Sequence, residues 1–319
     1  MKPGRGGTVH RLVVLTCLLV LSSSLLRADT YFVTIAGLGG TPEYEKQFEQ
    51  WAAEVNRALM VNGPACHVTT LKGASATKSA IHDLLTRVAS EVKPDDAFTL
   101  LLIGHGTYDG TNYKFNVPGP DITAEELAAL VDRIPASRQL VVNTTSASGA
   151  SLPALAKKGR VVITATKSGT EKNVTIFARY WIEAIENLTA DTDKNGSVSA
   201  LEAVRYAQSK TTAYFQNEKL LATEHAMLDD TGAKDGVRDP SPANAQGQRA
   251  AAFWLIKPPA SAAVASNPQK QKLLARKEEL EASIDRLKYK KAAMPPDEYK
   301  KQLSTLLLDL ARTQAEIDQ

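Results

Sequence analysis

The chain has 319 residues, of which 43% are hydrophobic and 23% are charged, a composition typical of globular proteins. Its formal net charge of +3 comes from the first 28 residues, which carry Lys2, Arg5, Arg11 and Arg27 and no acid. Without them, 34 basic residues stand against 35 acidic ones, a net charge of −1. This balance excludes the strongly basic class of nucleic-acid-binding proteins, which need a clustered basic face.

Residues 1–28 have the pattern of a secretory signal peptide. A basic start precedes an apolar stretch over residues 12–26, and Ala28 is a suitable last residue before cleavage. The stretch is short and contains serines, which favours a leader over the alternative, a membrane anchor. We therefore expect an exported protein, periplasmic or extracellular, with no transmembrane segment once the leader is removed. Cys66 is then the one cysteine left, so an intramolecular disulfide is excluded.

Strand and helix patterns alternate from residue 30 to residue 256. Predicted strands cover residues 31–36, 66–71, 97–103, 139–142, 161–165 and 251–256. Predicted helices cover residues 42–59, 75–92, 124–134, 176–188 and 201–215. Thr123 and Glu126 have the spacing of a capping box at the start of the third helix. Strands separated by helices predict an α/β fold, with a mostly parallel sheet covered by helices on both faces.

The end of the chain has a different, helical pattern. Residues 257–268 are rich in Ala, Ser and Pro and predict a linker. Within residues 269–319, leucine or isoleucine recurs at seven-residue spacing in two runs: Leu273, Leu280 and Leu287, then Leu303, Leu310 and Ile317. A Met-Pro-Pro-Asp segment separates the runs, which predicts a helical hairpin or coiled coil. Either this pair folds back on the α/β domain, or it binds a partner helix or a second copy.

Residues 191–202 read Asp-Thr-Asp-Lys-Asn-Gly-Ser-Val-Ser-Ala-Leu-Glu and match the spacing of an EF-hand calcium loop. Glycine stands at position 6, where the loop turns sharply, and predicted helices precede and follow the segment. The oxygen-bearing candidate ligands are Asp191, Asp193, Asn195, Ser197 and Glu202. We expect a single Ca²⁺ site that braces the fold. The alternative is a tight acidic turn in which Gly196 serves the backbone alone.

Two other segments carry no site in this interpretation. Residues 37–40, Gly-Leu-Gly-Gly, follow the first strand but lack the third spaced glycine and the Lys-Ser/Thr pair of phosphate-binding loops. Residues 224–239 are acidic and contain glycine, but their spacing fits no ligand pattern. We expect the second segment to be a solvated loop.

Small polar motifs follow two of the predicted strands. His105-Gly106 comes after the apolar run 97–103, and residues 143–149 (Asn-Thr-Thr-Ser-Ala-Ser-Gly) come after the run 139–142. Sites in open α/β sheets form outside the carboxyl ends of the strands. A histidine and a group of hydroxyls are therefore expected to face one crevice, which is the arrangement of a nucleophile and its base.

These motifs resemble the caspase-like cysteine peptidases, and most closely the legumain-like branch, over residues 30–256. In that family one strand ends in His-Gly and the next ends in a motif like Glu-Ala-Cys-x-Ser-Gly, here residues 144–149. The candidate base and nucleophile are 41 positions apart, close to the family's spacing, and residues 163–168 resemble its next strand and substrate-side loop. The resemblance implies peptide hydrolysis through an acyl-enzyme. His105 would be the base, Ser146 the nucleophile, and the backbone N–H groups of Gly106 and Ser146 the oxyanion hole.

Serine in place of the family's cysteine leaves three interpretations open. Ser146 is a true nucleophile, or the cleft is that of a pseudopeptidase that binds a peptide or protein partner, or the hydroxyls only cap a strand end. A hydroxyl, unlike a thiol, needs a well-placed base that a third group orients. The sequence does not select this group, since Asp109 and Asp121 both follow His105, and His105 itself has a structural alternative. A further alternative is a structural envelope protein that acts through its coiled coil.

Overall fold

The computed structural model describes residues 28–186, 188–242, 246–257, 268–291 and 294–317. The predicted leader, residues 1–28, and linker, residues 257–268, lie almost entirely outside the described residues. The strands are β1 (Thr30–Ala36), β2 (Cys66–Leu71), β3 (Ala97–Ile103), β4 (Gly106–Tyr108), β5 (Tyr113–Phe115), β6 (Ile122–Thr123), β7 (Arg138–Asn143), β8 (Arg160–Thr164), β9 (Val198–Ser199), β10 (Met227–Asp229) and β11 (Trp254–Ile256). The helices are α1 (Pro42–Leu59), α2 (Lys78–Glu91), α3 (Ala124–Val131), α4 (Leu152–Leu155), α5 (Phe177–Glu186), α6 (Ala200–Asn217), α7 (Gln248–Ala251), α8 (Pro268–Lys290) and α9 (Pro296–Ile317).

A six-stranded sheet organises the α/β part of the chain. Its strand order is β10-β8-β7-β3-β1-β2, and all neighbouring pairs are parallel except β10 with β8. All seven residues of β3 are buried, because helices cover both faces of this central strand. Leu101 and Ile103 pack on the side of α1, α5 and α6, whereas Leu100 and Leu102 pack on the side of α2 and α3. The predicted fold class, mixed α/β with a mainly parallel sheet, is confirmed.

Threonine side chains set the starts of three helices on this sheet. Thr41 and Thr77 accept backbone N–H groups at the first turns of α1 and α2, and Thr123 forms the predicted capping box with Glu126. The cap at Thr77 places the start of α2 at Lys78. The predicted helix, residues 75–92, therefore began three residues too early and ended one residue too late, since residues 73–75 form a separate 3₁₀ turn.

The prediction of a solvated loop over residues 224–239 was wrong for residues 224–230, whereas Asp235 and Asp239 lie in an exposed loop as expected. Glu224, Asp229 and Asp230 are 5%, 0% and 2% exposed, and β10 joins the sheet as its antiparallel edge. Backbone N–H groups hold these carboxylates in the interior, although Asp230 Oδ1 has no hydrogen-bond partner among the described residues. Asp229 accepts hydrogen bonds from Thr231, Gly232 and Lys234, and Asp230 accepts them from Arg249 and Ala250.

Small sheets add to the predicted elements at two places. After His105 the chain forms the three-stranded sheet β4-β5-β6, which the sequence analysis left unassigned. The predicted strand over residues 251–256 is shorter than expected, because residues 248–251 complete α7. Its remainder, β11, pairs with β9 outside the main sheet.

The C-terminal helices α8 and α9 pack against each other as a hairpin. Leu280 and Leu287 of the predicted stripe are 3% and 5% exposed, and Ile284, one turn after Leu280 on the same helix face, is 6% exposed. On α9, Leu307 and Leu308 stay largely exposed. Among the described helices, none is both long enough and apolar enough to cross a bilayer.

Candidate functional site

The sheet brings His105 and Ser146 to one edge. Strands β3 and β7 are parallel neighbours, with Leu102 opposite Asn143, so both strands end at the same side of the sheet. The segments that follow these two strands are in direct contact, because the Gly106 N–H lies 3.2 Å from the Ser146 hydroxyl. This contact requires a residue without a side chain, since a Cβ at Gly106 would lie 2.4 Å from the Ser146 carbonyl oxygen. The two candidate residues therefore share one rim.

The hydroxyl of Ser146 is buried and has two partners. Ser146 is 3% exposed, and its Oγ accepts from the Gly106 N–H and donates to the Gly106 carbonyl, each at 3.2 Å. The next residue, Ala147, has a positive φ of 55°, which turns the chain sharply after the strand end. The Ala147 N–H then donates to the carbonyl of Glu171 at 2.7 Å. Ser146 thus lies beneath the segment that contains Glu171.

The imidazole of His105 is held in a different direction. Its Nε2 lies 3.0 Å from the carbonyl oxygen of Gly39, so this nitrogen carries the proton and donates it. The rings of Tyr44 and Phe48 contact the imidazole edge-on, each with centroids 5.2 Å away. Both residues are described, and no hydrogen bond joins the His105 ring to the Ser146 hydroxyl.

The two candidates for an orienting acid are engaged in their own loops. Asp109 accepts the backbone N–H groups of Thr111 and Asn112, at 2.9 and 2.8 Å. The hydrogen bond from Asn112, and next that from Thr111, lowers the pKa of Asp109. Asp121 accepts from the Asn116 side chain at 2.9 Å and from the Val117 N–H at 3.2 Å. Neither carboxylate is hydrogen-bonded to His105.

A buried polar network below the rim fixes the segment that carries Ser146. The Tyr113 hydroxyl lies 2.6 Å from Thr145 Oγ1 and donates to Asn143 Oδ1 at 3.3 Å, and burial raises the pKa of Tyr113 to about 12. The Asn143 amide donates to Ser151 at 2.9 Å, and Thr175 donates to the Thr144 carbonyl. Sequence reasoning missed Tyr113, although Asn143 belonged to the motif that it singled out.

Glu171 and His225 form a hydrogen-bonded contact beside this segment. His225 Nδ1 lies 2.5 Å from Glu171 Oε1, and the carboxylate also accepts the backbone N–H groups of Lys167 and His225. The neighbouring Glu224 accepts the N–H groups of Ile176 and Phe177 at the start of α5. No pattern in the sequence pairs residues this far apart, so these contacts appear only in the fold.

The candidate calcium loop gathers three of its five predicted ligands. Carboxylate oxygens of Asp191, Asp193 and Glu202 lie within 4.8 Å of one another. Burial, and then the charge of Glu202, raises the pKa of Asp193, which shows that negative charge is concentrated there. Asn195 and Ser197 lie in the same turn, where the Asn195 carboxamide oxygen accepts the Ser197 N–H at 2.8 Å.

The loop backbone has the form that a wrapped cation needs. Gly196 has a positive φ of 80°, and Asp191 accepts its N–H at 2.8 Å. Glu202 also closes a capping box with Ser199 at the start of α6. Hard oxygen donors converging on one point are chemically suited to Ca²⁺, so these residues fit the predicted ion.

Comparisons with known proteins relate the chain to solved structures alone. No protein-family profile matches the sequence, and no curated protein matches it. The structure is similar to protein GSU0716 from Geobacter sulfurreducens, with a TM-score of 0.42, 13% identity, and coverage of 69% of this chain and 97% of that one. It is also similar to the Drosophila initiator caspase Dronc, with a TM-score of 0.43, 12% identity, and coverage of 67% and 83%.

Proposed function

We propose that this chain is a caspase-like protein of the legumain-like branch that binds a peptide or protein partner at its sheet edge and does not hydrolyse it. The hydrogen bonds of Ser146 and His105 carry this proposal. The Ser146 hydroxyl is hydrogen-bonded to both the N–H and the carbonyl of Gly106, while the His105 Nε2–H donates a hydrogen bond to the Gly39 carbonyl. The residues at the nucleophile and base positions are thus hydrogen-bonded to backbone groups and not to each other.

The chemistry of serine supports the same conclusion. A serine hydroxyl becomes a nucleophile when a hydrogen-bonded base takes its proton, and that base is usually oriented by a third group. In this chain Asp109 and Asp121 are bound to their own loops, so neither orients His105. In addition, the Gly106 N–H that the family uses for the oxyanion already donates to Ser146. The Gly39 carbonyl orients the imidazole, but a base hydrogen-bonded to the hydroxyl and a free Gly106 oxyanion donor are both lacking in this arrangement.

The surface for a partner is the rim around the buried Ser146. Thr107 and Lys167 are exposed there, His105, Tyr108 and Ser168 are partly exposed, and Leu38, 41% exposed, supplies an apolar contact. The ring of Tyr108 lies against Gly169, so the strand after His105 and the loop after β8 meet at this rim. A mixture of apolar, hydroxyl and basic groups suits an extended peptide segment.

A serine-directed fluorophosphonate probe tests whether the site is catalytic. We expect no labelling of the full chain, in calcium or in chelator, because the hydroxyl lacks a base. Ser146→Cys is the complementary variant, since a thiol ionises more readily beside histidine. Peptidase activity gained in Ser146→Cys and lost again in the double variant with His105→Ala would show that the cleft is otherwise intact.

The competing candidate is an active hydrolase that uses Ser146 and His105. The shared rim of Ser146 and His105 and the imidazole held by the Gly39 carbonyl favour it, since an acyl-transfer site needs both residues at one place and an oriented base. Probe labelling of the wild type that disappears in Ser146→Ala and His105→Ala would overturn the binding proposal in favour of this one.

We further propose that residues 191–202 hold one Ca²⁺ that stabilises the α/β domain. Asp191, Asp193 and Glu202 would supply carboxylate oxygens, and Asn195 and Ser197 the remaining side-chain ligands. The ion would offset most of the negative charge of the three clustered carboxylates and order the turn between α5 and α6. The clustering of the carboxylates and the preference of Ca²⁺ for oxygen ligands support this site.

Export and partner binding through the hairpin complete the proposal. The leader pattern supports cleavage after Ala28, which N-terminal sequencing of protein secreted by an expressing cell would test. A mature chain that begins at Asp29 supports export, whereas retention of Met1 in the folded protein contradicts it. The exposed Leu307 and Leu308 of the hairpin support a partner helix or self-association.

A further inference from the structure

A cavity of about 630 Å³ lies between α6 and the chain segment 224–241. None of its lining residues belongs to the His105–Ser146 rim or to the calcium loop. Its walls include buried apolar surface from Phe177 and Ala226, together with Pro240. The volume is in the range of small-molecule sites and larger than one inorganic ion requires. An organic ligand, with carbon to pack on these walls, suits it better than a simple anion.

Two arginines, Arg205 and Arg238, line this cavity. Arg205 donates Nε and Nη2 to the Pro240 carbonyl, at 3.2 and 2.8 Å, and has no ion pair among the described residues. Arg238 is exposed, and in the described part of the chain its guanidinium makes no hydrogen bond or ion pair. Two arginines without carboxylate partners can bind a ligand carboxylate through paired N–H donors.

Negative and neutral polar groups line the same cavity. Asp239 is exposed and unpaired among the described residues, and Glu224 forms part of the buried wall. The wall also contains Thr211, which is 5% exposed and whose hydroxyl has no hydrogen-bond partner in the described structure. An unpaired buried hydroxyl is uncommon in proteins, and a ligand in the cavity would give this one a partner.

We propose that this cavity binds a short peptide with free termini, its carboxylate on Arg238 and Arg205 and its ammonium group on Asp239. The charges select this class of ligand. A phosphate dianion would meet the exposed carboxylate of Asp239, and a purely cationic ligand would meet two guanidinium groups. A zwitterion complements both signs, and the apolar walls accept its side chains.

Calorimetric titration of the full chain with the dipeptide alanyl-alanine tests the proposal. We expect saturable binding, and a loss of affinity of roughly tenfold in Arg238→Gln, because a charge-assisted pair to the ligand carboxylate is removed. Arg133→Gln is the matched control, an exposed arginine outside the cavity with no ion pair among the described residues; its affinity should equal that of the wild type. Melting without ligand verifies that both variants fold.

Three further arms separate the zwitterion from other ligands. Alanyl-alaninamide and acetyl-alanyl-alanine each lack one terminal charge and should each bind roughly tenfold more weakly than the free dipeptide. Inorganic phosphate should bind weakly in all variants. The proposal is overturned by the absence of saturable dipeptide binding, by equal affinity in Arg238→Gln, by indifference to either capped terminus, or by phosphate binding as tight as the dipeptide.

Discussion

Gly106 is the residue on which the candidate site depends at atomic scale. Its two backbone polar groups hold the Ser146 hydroxyl, and the lack of a side chain lets the two strand ends touch. A Cβ at this position would meet the Ser146 carbonyl, Thr145 Oγ1 and the Tyr113 ring, all of them buried. The rim therefore tolerates glycine alone at position 106.

Gly106→Ala should destabilise the protein by about 1–3 kcal/mol, because the methyl group forces β4 away from the Ser146 segment. The measurement is the free energy of unfolding in urea. Thr107→Ala, at the next and exposed position, is the control and should change it by less than about 0.5 kcal/mol. Equal stability of Gly106→Ala and wild type would contradict the packing described here.

Glu224 makes stability depend on pH. Burial, which outweighs its hydrogen bonds from Ile176 and Phe177, raises its pKa from 4.5 to about 7, with Glu171 adding to the rise. Between pH 4.5 and about pH 7, Glu224 is therefore protonated in the folded state and ionised in the unfolded state. Stability from this group is present below pH 4.5 and is lost as pH rises through 7.

Glu224→Gln keeps an oxygen acceptor for the α5 backbone and removes the titration. We expect the wild type to lose up to ~3 kcal/mol more than this variant between pH 4.5 and pH 8, as judged by urea unfolding at each pH. Asp235→Asn, at an exposed acid, should follow the wild-type curve. Parallel curves for Glu224→Gln and wild type would contradict the assignment.

At the scale of elements, the calcium loop is joined to the rest of the fold through its short strand. β9 pairs with β11, and the Ser199 cap of α6 follows immediately. Ligand binding to the native state stabilises it by mass action, by ~2.7 kcal/mol at a hundredfold excess over Kd. An ordered loop would therefore stabilise α5, α6 and the two-stranded sheet together.

Calcium should raise the melting temperature of the wild type relative to chelator, and Asp193→Asn should remove most of that rise. In chelator the same variant should melt no lower than wild type, because one of three crowded carboxylates has lost its charge. Asp235→Asn again serves as the control and should retain the full response. Identical melting of the wild type in calcium and in chelator would contradict a calcium site.

The elements also show how far sequence reasoning reached. Hydrophobic patterns located the parallel strands and their helices, because burial on both faces leaves long apolar runs such as that of β3. The strand-end rule placed His105 and Ser146 on one rim. It did not predict the direction of the imidazole, which depends on Gly39, Tyr44 and Phe48 from a distant part of the chain. The buried acids of residues 224–230 were missed, since their partners are backbone groups that no residue pattern identifies.

For the whole molecule, the hairpin of α8 and α9 is the part most suited to association. Its stripe residues Leu280, Ile284 and Leu287 are buried, yet Leu307 and Leu308 on α9 are 47% and 58% exposed. Exposed leucines on a helix that already has one partner favour a bundle with further helices. Self-association through this face is therefore the expected behaviour.

Deleting residues 269–319 should lower the mass measured by light scattering, while the far-ultraviolet spectrum keeps its α/β character. In the full chain, Leu307→Glu should lower the mass in the same way, because a charge enters the apolar face. Lys300→Glu, at an exposed position earlier in α9, is the control. A monomeric wild type, or an unchanged mass in Leu307→Glu, would contradict self-association through α9.

The pairing of β9 with β11 has a mechanical consequence. β11 is the last strand before the hairpin in the part of the chain that the structure describes. Asn62 holds it further by accepting the Lys257 N–H at 2.7 Å and donating to the Leu255 carbonyl at 2.8 Å. Tension applied to the hairpin therefore loads these few bonds and the adjoining acidic turn before it reaches the six-stranded sheet. A tethered hairpin would be released at low force when the turn is loose and at higher force when an ion tightens it.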